Sequence, residues 1–235
     1  MQLLITAGTS AIGQALIAYY LANYDDYFIS ATYHRSRPKL SHPRLQWHPT
    51  DLSHEADVQQ LASQFALLDG IINCAGFLHD EQQSPEKSLS QFQPEFFEQN
   101  IAANTLPTLL LAKHFASSLS HPSPSFFVSL SARIGSLADN KIGGWISYRM
   151  SKAALNMAIK TIAIEWQRIL PCCCVLAIHP GTTKSRLTRP FERNVPAHQL
   201  HSPQQTAEAI VQVIYQKKAA DSGQFVDYQG CVIPW

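Results

Sequence analysis

Short apolar runs alternate with segments of helical periodicity along this whole chain, and this alternation is what most limits the folds open to it. Each run is short enough for a strand, and the segments between them are roughly 10–20 residues long, enough for a helical crossover. This pattern is typical of a parallel sheet with helices on both faces. The predicted strands are Leu3–Thr6, Phe28–Tyr33, Leu45–His48, Gly70–Asn73, Phe126–Leu130, Val175–Ile178 and Gln224–Asp227.

The intervening segments predict amphipathic helices at about 12–23, 53–67, 94–119, 147–168 and 203–217. No repeat, low-complexity tract or linker marks a second domain. The 235 residues are therefore predicted to form a single α/β domain, 1–235, a Rossmann-type doubly wound parallel sheet of about seven strands. Ligands of such sheets bind beyond the carboxyl ends of the strands. The aperiodic segment 181–202 is either a loop that covers substrate or a surface excursion.

The charge balance excludes several classes of partner. Eighteen basic and 17 acidic residues give a net charge of +1, which offers no electrostatic basis for binding nucleic acid or a membrane surface. No apolar run approaches the roughly 20 residues of a membrane span, and the first residues do not resemble a signal peptide. Five cysteines without paired spacing and ten histidines without a metal-binding pattern predict no disulfide framework and no metal. We expect a cytoplasmic protein.

A run of small residues separates the first strand from the first helix. Such a turn lets backbone N–H groups and the helix dipole face a pyrophosphate, although a purely structural turn is the alternative. Ala7 and Ala11 stand where glycine is usual, and they narrow the allowed backbone angles. The predicted dinucleotide contacts in this turn are Gly8, Thr9, Ser10, Ile12 and Gly13.

The end of the second strand indicates which dinucleotide is preferred. Residues 32–39 contain no Asp or Glu to bind a ribose 2′-hydroxyl, whereas His34, Arg35 and Arg37 are basic. Guanidinium groups bind phosphate through planar forks of donors. The sequence therefore favours NADP over NAD, with a solvated basic loop as the alternative.

Tyr148 and Lys152 lie four residues apart in the fourth predicted helix, on one face and about one turn from each other. A nearby cation stabilises a phenolate, so this pair suits proton transfer by tyrosine. Because the same spacing is common in helices, its significance depends on the rest of the sequence.

The rest of the sequence resembles the short-chain dehydrogenase/reductase family over nearly its whole length, and within it the C-factor and sniffer type of carbonyl reductase. The matching segments, in family order, are Thr6 to Gly13, Asp51-Leu52, Asn73-Cys74-Ala75-Gly76, Asn104, Ser129-Leu130-Ser131, Tyr148 to Lys152 and Pro180-Gly181.

This resemblance implies a role for each matching residue. Asp51 and Leu52 would contact the adenine, and Asn73, Ala75 and Gly76 would line the adenosine ribose and stiffen the central strand.

At the nicotinamide end, Tyr148 would protonate a substrate carbonyl as hydride arrives, and Lys152 would bind the ribose and lower the tyrosine pKa. Pro180 and Gly181 would cover the nicotinamide, with Thr182 and Thr183 near its carboxamide.

Asn104 would hold a water that links Lys152 to bulk solvent. Pro107 lacks an N–H group and leaves the carbonyl of Ala103 without its helical partner, so a disturbed turn beside Asn104 is expected. Asn100 is the rival, and a simple proline kink is the structural alternative.

A serine hydroxyl should polarise the substrate carbonyl, but the position usually taken by the second serine of this segment holds Ala132. Ser131, one residue earlier, is our first candidate and Ser136 the second. The third alternative is that no serine acts, which predicts low activity rather than none.

The sequence thus predicts an NADP-dependent oxidoreductase that reduces an aldehyde or ketone, or oxidises the alcohol. A dinucleotide-binding signalling or sensor protein with little turnover is the main alternative. A nucleotide-sugar epimerase is disfavoured because only 54 residues follow Gly181. Trp145, Phe191 and Trp235 are candidates for apolar substrate surface, and the resemblance implies a homo-oligomer, a dimer or tetramer.

Overall fold

The computed structural model describes all 235 residues and contains one seven-stranded parallel sheet in the order β3-β2-β1-β4-β5-β6-β9. The chain first places β2 and β3 on one side of β1, and it then returns to place β4, β5, β6 and β9 on the other side. The predicted doubly wound α/β fold is therefore confirmed. The strands are β1 Gln2–Thr6, β2 Phe28–Tyr33, β3 Leu45–Pro49, β4 Gly70–Asn73, β5 Ser125–Leu130, β6 Cys173–His179, β7 Thr182–Thr183, β8 Leu200–His201 and β9 Gln224–Asp227.

Six α-helices connect and cover the sheet: α1 Ala11–Asn23, α2 Glu55–Ala62, α3 Pro94–Asn104, α4 Leu106–Phe115, α5 Ile146–Ile169 and α6 Pro203–Gln216. None of them combines the length and the apolar content that crossing a bilayer requires.

The single helix predicted for 94–119 is wrong, because the chain forms α3 and α4 with a break at Thr105. Pro107 has no N–H to donate to Ala103, and the N–H of Thr108 donates to Thr105 O at 3.2 Å. The disturbed turn expected beside Asn104 is therefore present.

Alternating residues of the strands fill two apolar cores, one on each face of the sheet. Leu4 and Ile71 point into the core covered by α2, α4 and α5, whereas Leu3 and Ile5 point into the core covered by α1 and α6. All four side chains are at most 1% exposed. Strands that are buried on both faces have continuous apolar sequences, and for this reason their positions could be predicted well from the sequence.

The segment 181–202 is not a purely irregular loop, because β7 pairs with β8 in a small parallel ladder. Thr188 donates its hydroxyl to Thr183 O at 2.6 Å, and His79 Nε2 lies 3.0 Å from Leu187 O. These contacts fix the segment above the carboxyl ends of the central strands, where the doubly wound topology places a ligand.

Ala7 follows β1 with φ of 48°, in the left-handed region that disfavours a side chain. Its N–H donates to Thr32 Oγ1 at 2.9 Å, and its carbonyl accepts from the N–H of Ser10 at 2.9 Å. These two hydrogen bonds hold the turn in a conformation suited to glycine.

We predict that Ala7→Gly raises the free energy of unfolding by about 1 kcal/mol, because the strain at positive φ disappears. Ala18→Gly in the exposed middle of α1 is the matched control and should lower it by about 1 kcal/mol. Urea denaturation followed by circular dichroism measures both changes. A loss of stability in Ala7→Gly would show that the turn tolerates alanine without strain.

Candidate active site

The turn between β1 and α1 leads into a helix N-terminus that is suited to binding an anion. Ser10 caps α1 by accepting a hydrogen bond from Gly13 N at 3.0 Å, and the first turn of α1 contains no acidic residue. A Cβ on Gly13 would lie 2.7 Å from Ala7 O, so the close approach of helix and turn requires glycine there.

The other predicted residues of this turn are in different environments. Gly8 is buried beneath the turn, where a Cβ would meet the Trp47 ring at 2.9 Å, so its glycine serves packing. Thr9 is exposed beside the helix start, and Ile12 lines the cavity that contains Tyr148.

The predicted adenosine residues His34 and Asp51 meet at the ends of β2 and β3, with His34 Nε2 3.4 Å from Asp51 Oδ2. Ser53 donates to Asp51 Oδ1 through its hydroxyl at 2.6 Å, and this bond is the main reason that the pKa of Asp51 is lowered. The two side chains border a polar hollow, while Leu52 packs against the core and Arg35 is exposed.

Asn73 is held within the protein at every polar atom. Its Oδ1 accepts from Thr6 Oγ1 at 2.7 Å and from Ala75 N at 3.1 Å, and its Nδ2 donates to Thr108 Oγ1 at 3.0 Å. Thr108 in turn lies 3.0 Å from Ser129 Oγ. The side chain thus ties β1, β4 and β5 to α4, which fits the stiffening role expected of it.

Gly76 lies open beside two other predicted residues. A Cβ at this position would stand 3.8 Å from Asn104 Oδ1 and 3.9 Å from Lys152 Nζ. The structure therefore brings Gly76, Asn104 and Lys152 together, and the space in front of Gly76 is the room a ligand would use.

The Asn104 side chain is engaged by the protein itself. Its Oδ1 accepts a hydrogen bond from Phe77 N at 2.8 Å, and its Nδ2 donates to Phe77 O at 2.8 Å and to Ser151 Oγ at 2.9 Å. The Asn104 side chain therefore links Phe77 to α5 beside the break between α3 and α4. The rival Asn100 donates to Phe96 O at 2.9 Å within its own helix.

Tyr148 and Lys152 are both buried on α5, with Lys152 Nζ 5.9 Å from the centre of the Tyr148 ring. Lys152 donates to Leu130 O at 2.9 Å at the end of β5. Burial lowers the pKa of Lys152 to about 7 and raises the pKa of Tyr148 well above its ordinary value. In the protein alone, Tyr148 is therefore a neutral phenol that retains its proton.

A cavity of about 280 Å³ opens at Tyr148 beyond the carboxyl ends of β5 and β6. Trp145 and Phe191 pack with ring centres 4.8 Å apart in its wall, and Trp235 stacks on Phe225 elsewhere. Two of the three aromatic candidates are thus at the cavity. Its other apolar and small lining residues are Ile12, Leu78, Ile134, Pro180, Gly181, Thr182, Thr183, Leu187 and Val195.

The two serine candidates are in different places. Ser131 lines the cavity, but its hydroxyl donates to Asn156 Oδ1 at 2.6 Å. Ser136 donates to Pro234 O at 2.5 Å and does not line the cavity, so the structure does not bring it to Tyr148. Ala132 lies in the cavity wall and contributes no hydrogen-bond donor from its side chain.

Two residues that the sequence did not single out support or line the site. Glu86 is 3% exposed and accepts hydrogen bonds from the hydroxyl and the N–H of Ser147, capping α5 where Trp145 has a left-handed backbone and no side-chain cap. His179 lines the cavity at the end of β6. Glu86 precedes Ser147 by 61 residues, and no local pattern links residues so far apart.

We predict that Glu86→Ala lowers the free energy of unfolding by about 2 kcal/mol, because the buried donors of Ser147 lose a charged acceptor. Glu86→Gln retains one acceptor and should cost about half as much. Urea denaturation measures both, with Glu81→Ala on the exposed surface as control. A Glu86→Ala protein as stable as its parent would show that this carboxylate does not support α5.

The doubly wound sheet, the capped turn after β1 and the open space at Gly76 define an α/β protein of the dinucleotide-binding class. Residues 2–196 match the short chain dehydrogenase model, and the chain belongs to that family.

Individual relatives agree with this assignment. C-signal of Myxococcus xanthus is 34% identical over 106 residues, covering 45% of this chain and 58% of that protein. The 1-hydroxy-2-glutathionyl-2-methyl-3-butene dehydrogenase of Rhodococcus sp. is 29% identical over 192 residues, covering 79% of this chain and 78% of the other. The alignment with C-signal, unlike that with the dehydrogenase, therefore covers little more than half of the related protein.

Two solved structures share the fold over the whole chain. The NADPH-bound carbonyl reductase from chicken fatty liver superposes with a TM-score of 0.86 at 21% identity, covering 100% of this chain and 98% of that one. Carbonyl reductase Sniffer of D. melanogaster gives 0.86 at 20% identity, covering 100% and 99%.

Proposed function

We propose that this short-chain dehydrogenase is an NADP-dependent oxidoreductase that reduces an aldehyde or ketone to the alcohol, or catalyses the reverse reaction. The observation that carries the proposal is the placement of a buried, protonated Tyr148 in an apolar-walled cavity, one helical turn from Lys152. Proton transfer to a carbonyl oxygen requires a general acid within reach of a bound substrate, and a protonated phenol can serve as that acid.

The residues present fit a dinucleotide. The start of α1 is free of acidic residues and has N–H groups that can face the pyrophosphate, and the hollow beside His34 and Asp51 suits an adenosine. Gly76 leaves room beside Lys152, whose ammonium can bind ribose hydroxyls. Pro180, Gly181 and Thr183 would hold the nicotinamide side, because they line the cavity of Tyr148.

When bound, the reduced nicotinamide supplies the hydride for the carbonyl carbon. Tyr148 donates its phenolic proton to the carbonyl oxygen, so that the alcohol forms and a phenolate remains. Lys152, whose pKa of about 7 allows it to gain and lose a proton near neutrality, returns a proton toward Tyr148. The break at Asn104 and Thr105 offers a backbone carbonyl for the water that connects Lys152 with solvent.

Segment 181–202 would cover the substrate, since Leu187, Phe191 and Val195 supply much of the apolar wall. Related proteins support the chemistry: one aligned relative is called a dehydrogenase, and one solved neighbour is a carbonyl reductase with NADPH bound. The expected homo-oligomer stays a prediction, which the exposed Met150, Met157 and Ile164 on α5 support.

A signalling or sensor protein with little turnover is the second candidate, because Ala132 replaces a hydroxyl in the cavity wall and C-signal is among the relatives. Titration with NADPH and then with a panel of aldehydes and ketones separates the two. Binding followed by carbonyl-dependent oxidation supports the enzyme, whereas binding without oxidation above background supports the sensor.

We predict that Tyr148→Phe lowers the rate of carbonyl reduction at least about a hundredfold, because the proton donor is removed. NADPH affinity should change little, since the ring stays in place. Stopped-flow oxidation of NADPH and a fluorescence titration measure the two quantities. Tyr19→Phe on α1, remote from the cavity, is the control. Parent-like reduction by Tyr148→Phe would refute the assignment of this tyrosine.

We predict that Arg35→Ala combined with Arg37→Ala raises the Kd of NADPH at least about tenfold and leaves that of NADH nearly unchanged. A guanidinium fork at the end of β2 would bind only the 2′-phosphate, and a charge-assisted hydrogen bond of this kind contributes roughly 1.5–3 kcal/mol. Lys39→Ala, farther along the same loop, tests for a general effect of lost charge. Equal weakening of both nucleotides would show that these arginines do not select NADP.

A further inference from the structure

Neither serine candidate nor Ala132 offers the cavity of Tyr148 a free hydroxyl that could hold negative charge on a substrate oxygen. Ala132 has no donor, the Ser131 hydroxyl is directed to Asn156, and Ser136 is bonded to Pro234 O outside the cavity. Reduction of a carbonyl places charge on its oxygen, and a second donor beside the proton donor stabilises that charge.

His179 occupies the neighbouring strand end. It is the last residue of β6, and Ser131 N donates to Ile178 O at 2.8 Å, which holds the ends of β5 and β6 side by side. His179 and Ala132 line the same cavity as Tyr148. His179 therefore lies at the strand end next to the one that leads into Ala132.

The His179 ring also has an unmet hydrogen-bonding requirement. Its Nδ1 atom is buried and has no partner in the protein. Buried polar atoms are seldom left unpaired, and a catalytic role is one of the explanations for such an atom in a native protein. The unpaired ring nitrogen, in a residue that lines the cavity of Tyr148, is thus a second observation that points to the site.

Burial keeps the His179 ring neutral. Burial lowers its pKa to about 4, and the Arg133 guanidinium and His201 act in the same direction, while Asp227 opposes them. Arg133 is itself paired with Asp227 at 3.3 Å and with Asp139 at 3.0 Å. A neutral imidazole carries one N–H, and such a group can polarise a carbonyl without delivering its proton.

We propose that His179 is a catalytic residue that donates a hydrogen bond to the substrate oxygen, in place of the hydroxyl that Ala132 lacks. This inference rests on the proposed carbonyl reduction. Tyr148 transfers the proton, and His179 keeps its own N–H while it stabilises the charge that develops on the oxygen. No atom of His179 is gained or lost in the reaction.

The test compares His179→Leu with His179→Asn, two side chains of nearly equal size of which only asparagine has an N–H donor. We expect kcat for an aromatic aldehyde such as benzaldehyde to fall about 10²–10³-fold in His179→Leu, as for other removed oxyanion donors. His179→Asn should stay at least about tenfold faster than His179→Leu, and NADPH affinity should be retained in both.

A rescue experiment checks the same point from the opposite direction. Ala132→Ser added to His179→Leu should recover at least about tenfold in kcat, because it restores a donor at the cavity wall. Ser131→Ala should cost less than His179→Leu. Circular dichroism and NADPH titration of each variant confirm that the fold and the nucleotide site are intact.

Several outcomes would overturn the proposal. Equal rates for His179→Leu and the parent, with Tyr148→Phe inactive, would leave the reductase function standing and remove His179 from it. Equal loss in the Leu and Asn variants, or loss of NADPH binding with kcat, would assign His179 to packing or to the nucleotide. A parent that reduces no carbonyl at all would refute the proposed function and this inference together.

Discussion

The buried side chain of Asn73 ties together the elements whose ends form the site. It bonds to Thr6 at the end of β1, to Thr108 on α4 and to the backbone just beyond β4. Thr108 extends the contact to Ser129 on β5. Each of these polar atoms is buried and would be costly to leave unpaired, so they fix the relative positions of three adjacent strand ends. The edge of the sheet formed by the carboxyl ends of the strands thereby has a rigid centre, and the turn at Ala7 and the segment 181–202 lie around it.

Two of the ionisable residues on α5, Tyr148 and Lys152, are buried without opposite charges. Lys152 bonds only to a backbone carbonyl, and Tyr148 retains its proton because burial disfavours the phenolate. A buried cation without a counter-ion loses much of its charge, which is why the pKa of Lys152 falls to about 7. The pair expected from the spacing is thus present in space, but the mutual electrostatic effect expected from it is absent in the protein alone. A positive charge brought by a bound nucleotide would be needed to favour the phenolate.

The extent to which the sequence predicted the molecule follows from which forces are local. The buried strands were located to within about two residues, because apolar runs report burial on both faces directly. The disturbed turn at Thr105 was predicted from Pro107, because the missing N–H of proline is a local property of the sequence. The position of Ser136 could not be predicted, because its hydrogen-bond acceptor, Pro234 O, lies 98 residues away in the sequence. Glu86 and His179 were missed for the same reason, since a carboxylate that caps a distant helix and a histidine that ends an apolar strand have no pattern of their own.

Ala132 in the cavity wall gives these nonlocal residues their importance. If the protein reduces carbonyls as proposed, a cavity without a hydroxyl at position 132 either loses polarisation of the carbonyl or obtains it from another residue. β6 pairs with β5 from Cys173 to Ile178, so His179 lies at the strand end next to that of β5 and is a candidate for such a replacement. The neutrality of His179, enforced by burial, is a property that such a replacement requires. An unpaired imidazole nitrogen in a residue of the cavity wall has a cost in stability, and the proposed hydrogen bond to a substrate oxygen gives that residue a function that nucleotide binding alone would not.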